Sequence, residues 1–430
     1  MTTAPRADLP RRVPRYRDTP RQRGRVALIV LVTLTALLGL LGGIGISFSA
    51  GNPYGAGLSE FYALFPLPAL WLAYWWLDRY EPEPRRYKYA AFVWGGVVAV
   101  AIALTLQLTI QRAFGLSDAT MASVVAPMTE EPAKCAFLLL TFVRMRRVID
   151  GFIDGLVYAG LVGIGFAYVE NIGYYAASYL GSADMKVAGA AGATATFVVR
   201  GIFSPLAHPG FTSAFGIALG LVVSRFAQRG KLVKGVILLL GLAVSMSLHA
   251  AWNSSLSLGG GQGFVLTYLA LSSVLLCVAI FAIVVRVRQV RTLEQSLRDI
   301  SSRGWIHPDE IPFLSRFSYR KSARRFARRH HGTVAGRIVK RYQRLATEVA
   351  FLHDGVVRGR HIPKGVERTY ALLDAMYALR PWLRFPPALA PSGYHVQAFP
   401  PIATPAPQPS PVADAVSSGT NGEPPVAPVH

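Results

Sequence analysis

The chain has 430 residues, of which 52% are apolar and only 16% charged, against about 25% charged in an average soluble domain. It holds two cysteines and a formal charge of +22, with most of its Lys and Arg outside the apolar runs. These figures exclude a soluble globular domain, a secreted disulfide scaffold and a mainly disordered chain, and leave a multi-pass membrane protein with basic ends.

Residues 1–25 carry eight Arg and no Lys. A leader this basic, followed by so long an apolar run, reads as a basic N-terminus ahead of an anchored first span rather than as a cleaved signal peptide. A crossing helix needs about 20 mostly apolar residues. That ruler predicts spans at 26–48, 61–77, 90–111, 119–143, 151–177, 190–224, 232–254 and 263–285. The fold class is therefore all-α, a polytopic bundle of about eight transmembrane helices occupying residues 26–285. Pro127 and Pro132 predict a break in the fourth span, and Pro205 and Pro209 predict one in the sixth. Loops rich in Lys and Arg alternate with loops nearly free of them, which by the positive-inside rule puts both termini in the cytoplasm. Cys135 and Cys277 fall inside spans and read as buried small hydrophobes rather than a redox pair.

Residues 286–385 follow the last span with 22 Lys and Arg against eight acids. Within them Phe326, Val334, Ile338, Tyr342, Leu345 and Val349 recur at helical spacing, surrounded by basic residues. Anionic lipid is the partner such charges suit; the other reading is a small helical cytoplasmic domain with a solvated basic face. No recognition motif points to nucleic acid. Residues 386–430 hold twelve prolines and no Lys or Arg, and read as a disordered tail.

An ionisable residue at the centre of a span costs about 2.5–3.5 kcal/mol on insertion scales. This chain nevertheless places Glu130, Glu131 and Lys134 in the fourth span, Glu170 in the fifth, Arg200 and His208 in the sixth and His249 in the seventh. Lys134 is i+4 from Glu130 and i+3 from Glu131, so the three meet on one flank. Asn171 adjoins Glu170, and Asn253 is i+4 from His249. With the spans threaded alternately, Glu130, Glu170, His208 and His249 share one depth, from mid-membrane toward the outer leaflet. Two imidazoles and several carboxylates there form a divalent-metal set of the kind zinc takes, and a carboxylate outside the ligand set is placed to act as general base. No His-Glu-x-x-His pattern is present, so a soluble zinc-protease helix is excluded. A metal or proton transporter using the same buried residues is the alternative of a different class, and a scaffold recruiting partners through its basic tail is a third.

Glu130-Glu131-x-x-Lys134, Phe166-x-x-x-Glu170-Asn171, His208 in a Pro-flanked segment and His249-x-x-x-Asn253 together resemble the PrsW family of intramembrane metalloproteases, as does the acidic, Pro-rich Asp78–Pro84 loop. That family is grouped with the CAAX prenyl endopeptidases and bacteriocin-processing enzymes. The resemblance covers residues 60–285 and implies a membrane-embedded, zinc-dependent endopeptidase that cuts a membrane protein near its outer surface. The best-known member acts on an anti-sigma factor. It further implies Glu130 and Glu131 as the essential paired, catalytic glutamates and Glu170, His208, His249 and Asn253 as the remaining motif positions. The metal is then expected on His208 and His249 with Glu170 or Glu131, Glu130 activating its water, and Lys134, Asn171 and Asn253 in support. A CAAX-type processing peptidase, its site open to the cytoplasm, is the alternative within this superfamily.

Overall fold

The computed structural model describes residues 53–80, 83–145, 148–149, 151–181, 187–258, 260–359, 362 and 364–386, and these contain helices and turns but no strand. Helices α1 (Pro53–Leu64) and α2 (Leu67–Leu77) follow one another across Pro66. Helix α3 (Arg85–Phe114) passes through a π-helical stretch at Trp94–Ala99. A second π stretch, Met121–Val125, leads into α4 (Ala126–Arg144), and α5 (Phe152–Leu180) follows. Helix α6 (Gly189–Phe197) runs into a third, Val198–Phe203, before α7 (Ala207–Ser224). Helices α8 (Lys231–Leu258) and α9 (Gly260–Ser302) complete the apolar part. Beyond it lie α10 (Ile311–Ser315), α11 (Phe317–Val357) and α12 (Gly365–Tyr377).

Six stretches among the described residues are long and apolar enough to cross a membrane: Pro53–Leu77, Arg85–Phe114, Phe152–Leu180, Gly189–Ser224, Lys231–Ser255 and Val265–Ser302. This is a multi-pass membrane protein. Helix α4 stays outside that group because Glu130, Glu131 and Lys134 raise its charge, yet eleven of its residues, these three included, are buried in the bundle. The expected span at 26–48, the basic residues 1–25 and all but the first residue of the Pro-rich tail lie outside the described residues.

Helix α5 is the axis of the bundle, with every residue from Ile153 to Ala167 buried. Apolar side chains gain little from leaving lipid, so close backbone approach decides which helices associate. A Cβ on Gly165 would lie 1.9 Å from the Phe92 carbonyl oxygen of α3, and one on Gly95 as close to the Val162 oxygen of α5. On another face, a Cβ on Gly163 would come within 2.6 Å of the Pro209 backbone of α7. Glycine is required at these crossings, and the last of them seats the start of α7, with His208, against α5.

The sixth segment is broken where its prolines predict. Ser204 closes the π stretch by donating its amide and hydroxyl to the Val199 oxygen (3.0 and 2.7 Å), and Tyr268 of α9 donates to the Phe203 oxygen at 3.1 Å. These partners satisfy carbonyls that a proline break would orphan in lipid. The break expected in the fourth span is absent: α4 runs through Pro132, and the irregular turn lies earlier, at Met121–Val125. Pro127 sits in the first turn of α4, directly after the π stretch. Around Pro132, Trp94 Nε1 donates to the Ala133 oxygen at 3.0 Å and Thr129 Oγ1 to the Val125 oxygen at 2.9 Å, so packing holds the helix through the proline. Cys135 is buried as expected, but Cys277 is exposed on the outward side of α9, and neither forms a disulfide. In α11 the predicted apolar face is buried at Ile338, Tyr342, Leu345 and Val349, while Phe326 and Val334 are half-buried beside the interruption at Gly332 (φ 85°).

Candidate functional site

The charged residues of the spans converge. In α4, Glu130 and Glu131 are consecutive and Lys134 lies one turn on, all three buried. The Lys134 ammonium donates to Glu131 Oε1 at 2.8 Å and to Glu130 Oε2 at 3.3 Å, and lies 2.9 Å from His208 Nδ1 and 3.8 Å from the Phe166 ring centroid.

Glu131 is fully enclosed, and both of its oxygens are engaged. Oε1 also faces His249 Nδ1 at 3.0 Å, and Oε2 accepts from Thr212 Oγ1 at 3.0 Å. Glu130 is held more loosely: Gln107 Nε2 donates to Oε1 at 3.2 Å, and Oε2 lies 3.8 Å from His249 Nε2. Glu170 comes from α5, where its Oε2 meets His208 Nε2 at 2.7 Å and Arg200 Nη2 at 2.5 Å. The rings of His208 and His249 are 5.1 Å apart at nearly a right angle, and Phe211 stacks on His249.

Four helices and one π stretch thus supply the centre, and each does so for a local reason. Lys134 sits at i+3 and i+4 from the two carboxylates, the spacing at which helical side chains meet. The break at Ser204–Leu206 restarts the helix at Ala207, so His208 lies in the first turn of α7 and Thr212 one turn along the same flank. His249 is buried in α8, facing Glu131.

Among the described residues, one group has metal-ligating atoms that all lie within 4.8 Å of one another: Glu130, His208 and His249, all buried. It differs by one carboxylate from the expected set, His208 and His249 with Glu170 or Glu131; here Glu170 Oε2 is engaged by His208 Nε2 and Arg200, and Glu131 by Lys134, His249 and Thr212. Two imidazoles and a carboxylate are the donors zinc takes. The charge balance agrees: Glu130, Glu131 and Glu170 face only two permanent cations, Lys134 and Arg200, leaving one negative charge at a depth where an uncompensated charge is costly.

The supporting residues separate. Asn171 accepts from Arg200 Nε at 2.7 Å, beside the centre. Asn253 donates to the Ala122 oxygen at 2.8 Å, tying α8 to the π stretch before α4. Gln107 and Thr212 touch the paired glutamates and were not singled out from the sequence, although Thr212 is i+4 from His208.

The profile of the PrsW family intramembrane metalloproteases matches residues 83–285, the stretch that contains every residue of this centre. The chain is also 32% identical over 108 residues to Protease PrsW of Geobacillus kaustophilus (strain HTA426), an alignment covering 25% of this chain and 48% of that protein. The chain thus spans about half the length of the curated relative it matches. No solved structure matches it. The centre, with its glutamate pair, lysine and two histidines buried among apolar helices, lies wholly inside the matched stretch, and residues 83–285 match the PrsW family of intramembrane metalloproteases.

Proposed function

We propose that the chain is an intramembrane metallo-endopeptidase that hydrolyses a peptide bond of a membrane-protein substrate near the outer face, both of its own termini being cytoplasmic. The observation that carries this reading is the convergence of Glu130, His208 and His249 within 4.8 Å, buried at membrane depth. Those three residues would hold the metal, His208 through the Nδ1 lone pair that the Lys134 ammonium occupies in this structure, and zinc suits the donors. A zinc ion so held supplies a Lewis acid that lowers the pKa of bound water to about 7.

The remaining residues orient and transfer protons. Glu131, on His249 Nδ1, fixes that ring's tautomer and leaves Nε2 facing Glu130. The Lys134 ammonium neutralises the glutamate pair. Glu170, with 18% of its side chain exposed, is the most accessible of the three carboxylates. With Oε2 held by His208 and Arg200, its other oxygen is the proton acceptor for the attacking water, and it returns that proton to the leaving amine.

The roles separate by substitution. Purified wild type is expected to bind about one zinc. Glu130→Gln should lose both metal and cleavage. Glu170→Gln should keep the metal, since an amide oxygen still accepts from His208, but lose about 10²–10⁴-fold in turnover. Full activity in either variant rejects the mechanism. A transporter would instead move metal or protons across vesicles in the wild type without cleaving any protein. A CAAX-type peptidase would admit thiol label beside Glu170 from the cytoplasmic side alone. For the substrate, the family resemblance favours an anti-sigma factor: comparing ectodomains released by wild type and Glu130→Gln cells should find one missing from the variant.

Anionic lipid is the partner proposed for α11, where Lys321, Arg325, Arg328, Arg329, Arg337 and Lys340 are all exposed. Each basic residue near an anionic surface contributes about 1 kcal/mol. Replacing the first four by Gln should weaken the protection that vesicles containing phosphatidylserine give this helix against proteolysis. Equal protection in neutral vesicles would reject the lipid contact.

A further inference from the structure

Arg200 lies in the π stretch Val198–Phe203 and has no part in the reading above. Its guanidinium grips one face of α5: Nη2 is 2.5 Å from Glu170 Oε2, Nε donates to Asn171 Oδ1 at 2.7 Å, and the group lies 3.8 Å over the Tyr174 ring. A planar fork fixes two acceptors at once, which an ammonium on a flexible stem does not do. The Glu170 oxygen that meets Arg200 is also the one 2.7 Å from His208 Nε2. His208 stands two residues beyond the break, where backbone hydrogen bonding constrains it least, and Glu170 and Lys134 are the polar groups on its two ring nitrogens. A pair present only for stability would gain as much or more from apolar replacement of both partners. This one instead ends on an imidazole of the centre.

We propose that Arg200 is a positioning residue: by clamping Glu170 and Asn171 it presses the Glu170 carboxylate onto the Nε2–H of His208, whose tautomer the Lys134 ammonium on Nδ1 sets, and so fixes the orientation of that ring toward Glu130 and His249. The inference rests on the reading in which His208 serves the centre.

The test uses the full-length protein in detergent, with Arg200→Gln, Arg200→Lys, Glu170→Gln and the double variant Arg200→Gln/Glu170→Gln. The readouts are the imidazole ¹⁵N spectrum of the metal-free protein, with the His208 signal assigned by its loss in His208→Asn, zinc affinity by competition with a chromophoric chelator, and KM and kcat for cleavage. Wild type and Glu170→Gln should show one His208 tautomer. Arg200→Gln should show a His208 Nε2 signal displaced from that of wild type, a zinc affinity lower by about 10–100-fold and an unchanged KM. Arg200→Lys should recover little. Should Arg200→Gln fail to fold, the double variant, which lacks the unpaired carboxylate, carries the same spectral test and should show the same displacement. A wild-type His208 spectrum in the Arg200 variants overturns the proposal, as does a raised KM with unaltered zinc affinity, which would make Arg200 a substrate contact. A wild type that binds no zinc sinks the metal reading alone, and the His208 spectrum still decides the role of Arg200.

Discussion

At the scale of single residues, Lys134 is the group on which the centre depends for its charge balance. Its side chain is fully buried and its ammonium meets Glu131, Glu130 and His208. Removing one partner of a buried ion pair strands the other, at about 3–5 kcal/mol. Lys134→Ala should therefore lower the melting temperature and the yield of folded protein, with Lys134→Ala/Glu131→Gln more stable than the single variant. A single variant as stable as wild type would show that the glutamates do not need the ammonium. The pairing of Lys134 with both glutamates was legible from the i+3 and i+4 spacing. The partners from other helices, Thr212 on Glu131 and Gln107 on Glu130, were not, because contact across helices depends on crossing geometry that spacing within one helix does not encode.

At the scale of elements, glycine contacts set where the functional side chains stand. Gly163 lets α5 touch the backbone of His208 and Pro209, where an added Cβ would sit 2.6–2.8 Å from backbone atoms. Gly155, two turns toward the other end of α5, makes an equivalent contact with Gly216, away from the centre. Overpacking of this kind costs about 1–3 kcal/mol. Gly163→Ala and Gly155→Ala should lose comparable stability, but Gly163→Ala should lose far more cleavage activity, because it moves α7 and His208 together. Equal loss of activity in the two would show that the crossing at His208 does not set the site. The break in the sixth segment was readable from Pro205 and Pro209. The continuity of α4 through Pro132 was not, since a proline states only that a hydrogen bond is missing, and packing around Trp94 and Thr129 decides whether the helix survives it.

At the scale of the molecule, α9 extends without interruption from the apolar bundle to Ser302, and the loop after α2 meets the basic helices. Tyr80 is buried in the core that also holds Leu293, Leu297, Phe313, Ile338 and Tyr342. The Arg286 guanidinium lies 3.9 Å from the Tyr80 ring, and that of Arg79 lies 4.4 Å from the ring of Phe317. In the same core Tyr342 donates to Glu310 Oε2 at 2.5 Å, and burial pushes its phenol well above the ordinary value of about 10. Above pH 10 the unfolded chain releases that proton while the folded one keeps it, so the folded state binds more protons and stability falls as pH rises. Thermal unfolding of α11, followed by Trp305 and Trp382 fluorescence, should shift to lower temperature above pH 10, and Tyr342→Phe should flatten that slope. An unchanged slope would remove Tyr342 as its cause.

The sequence by itself determined the class of molecule and the residue types of the centre. Apolar runs set by hydrocarbon thickness, and charges too costly at that depth to be incidental, are both local properties of the chain. Only the tertiary structure decided which carboxylate groups with both histidines. Glu130, Glu131 and Glu170 are equivalent as residues, but it is Glu130 whose oxygen lies within 4.8 Å of both imidazoles, while Glu131 is claimed by Lys134, His249 and Thr212, and Glu170 by Arg200 and His208. Those claims arise where separate helices cross, at distances set by glycines whose partners lie far away in the chain.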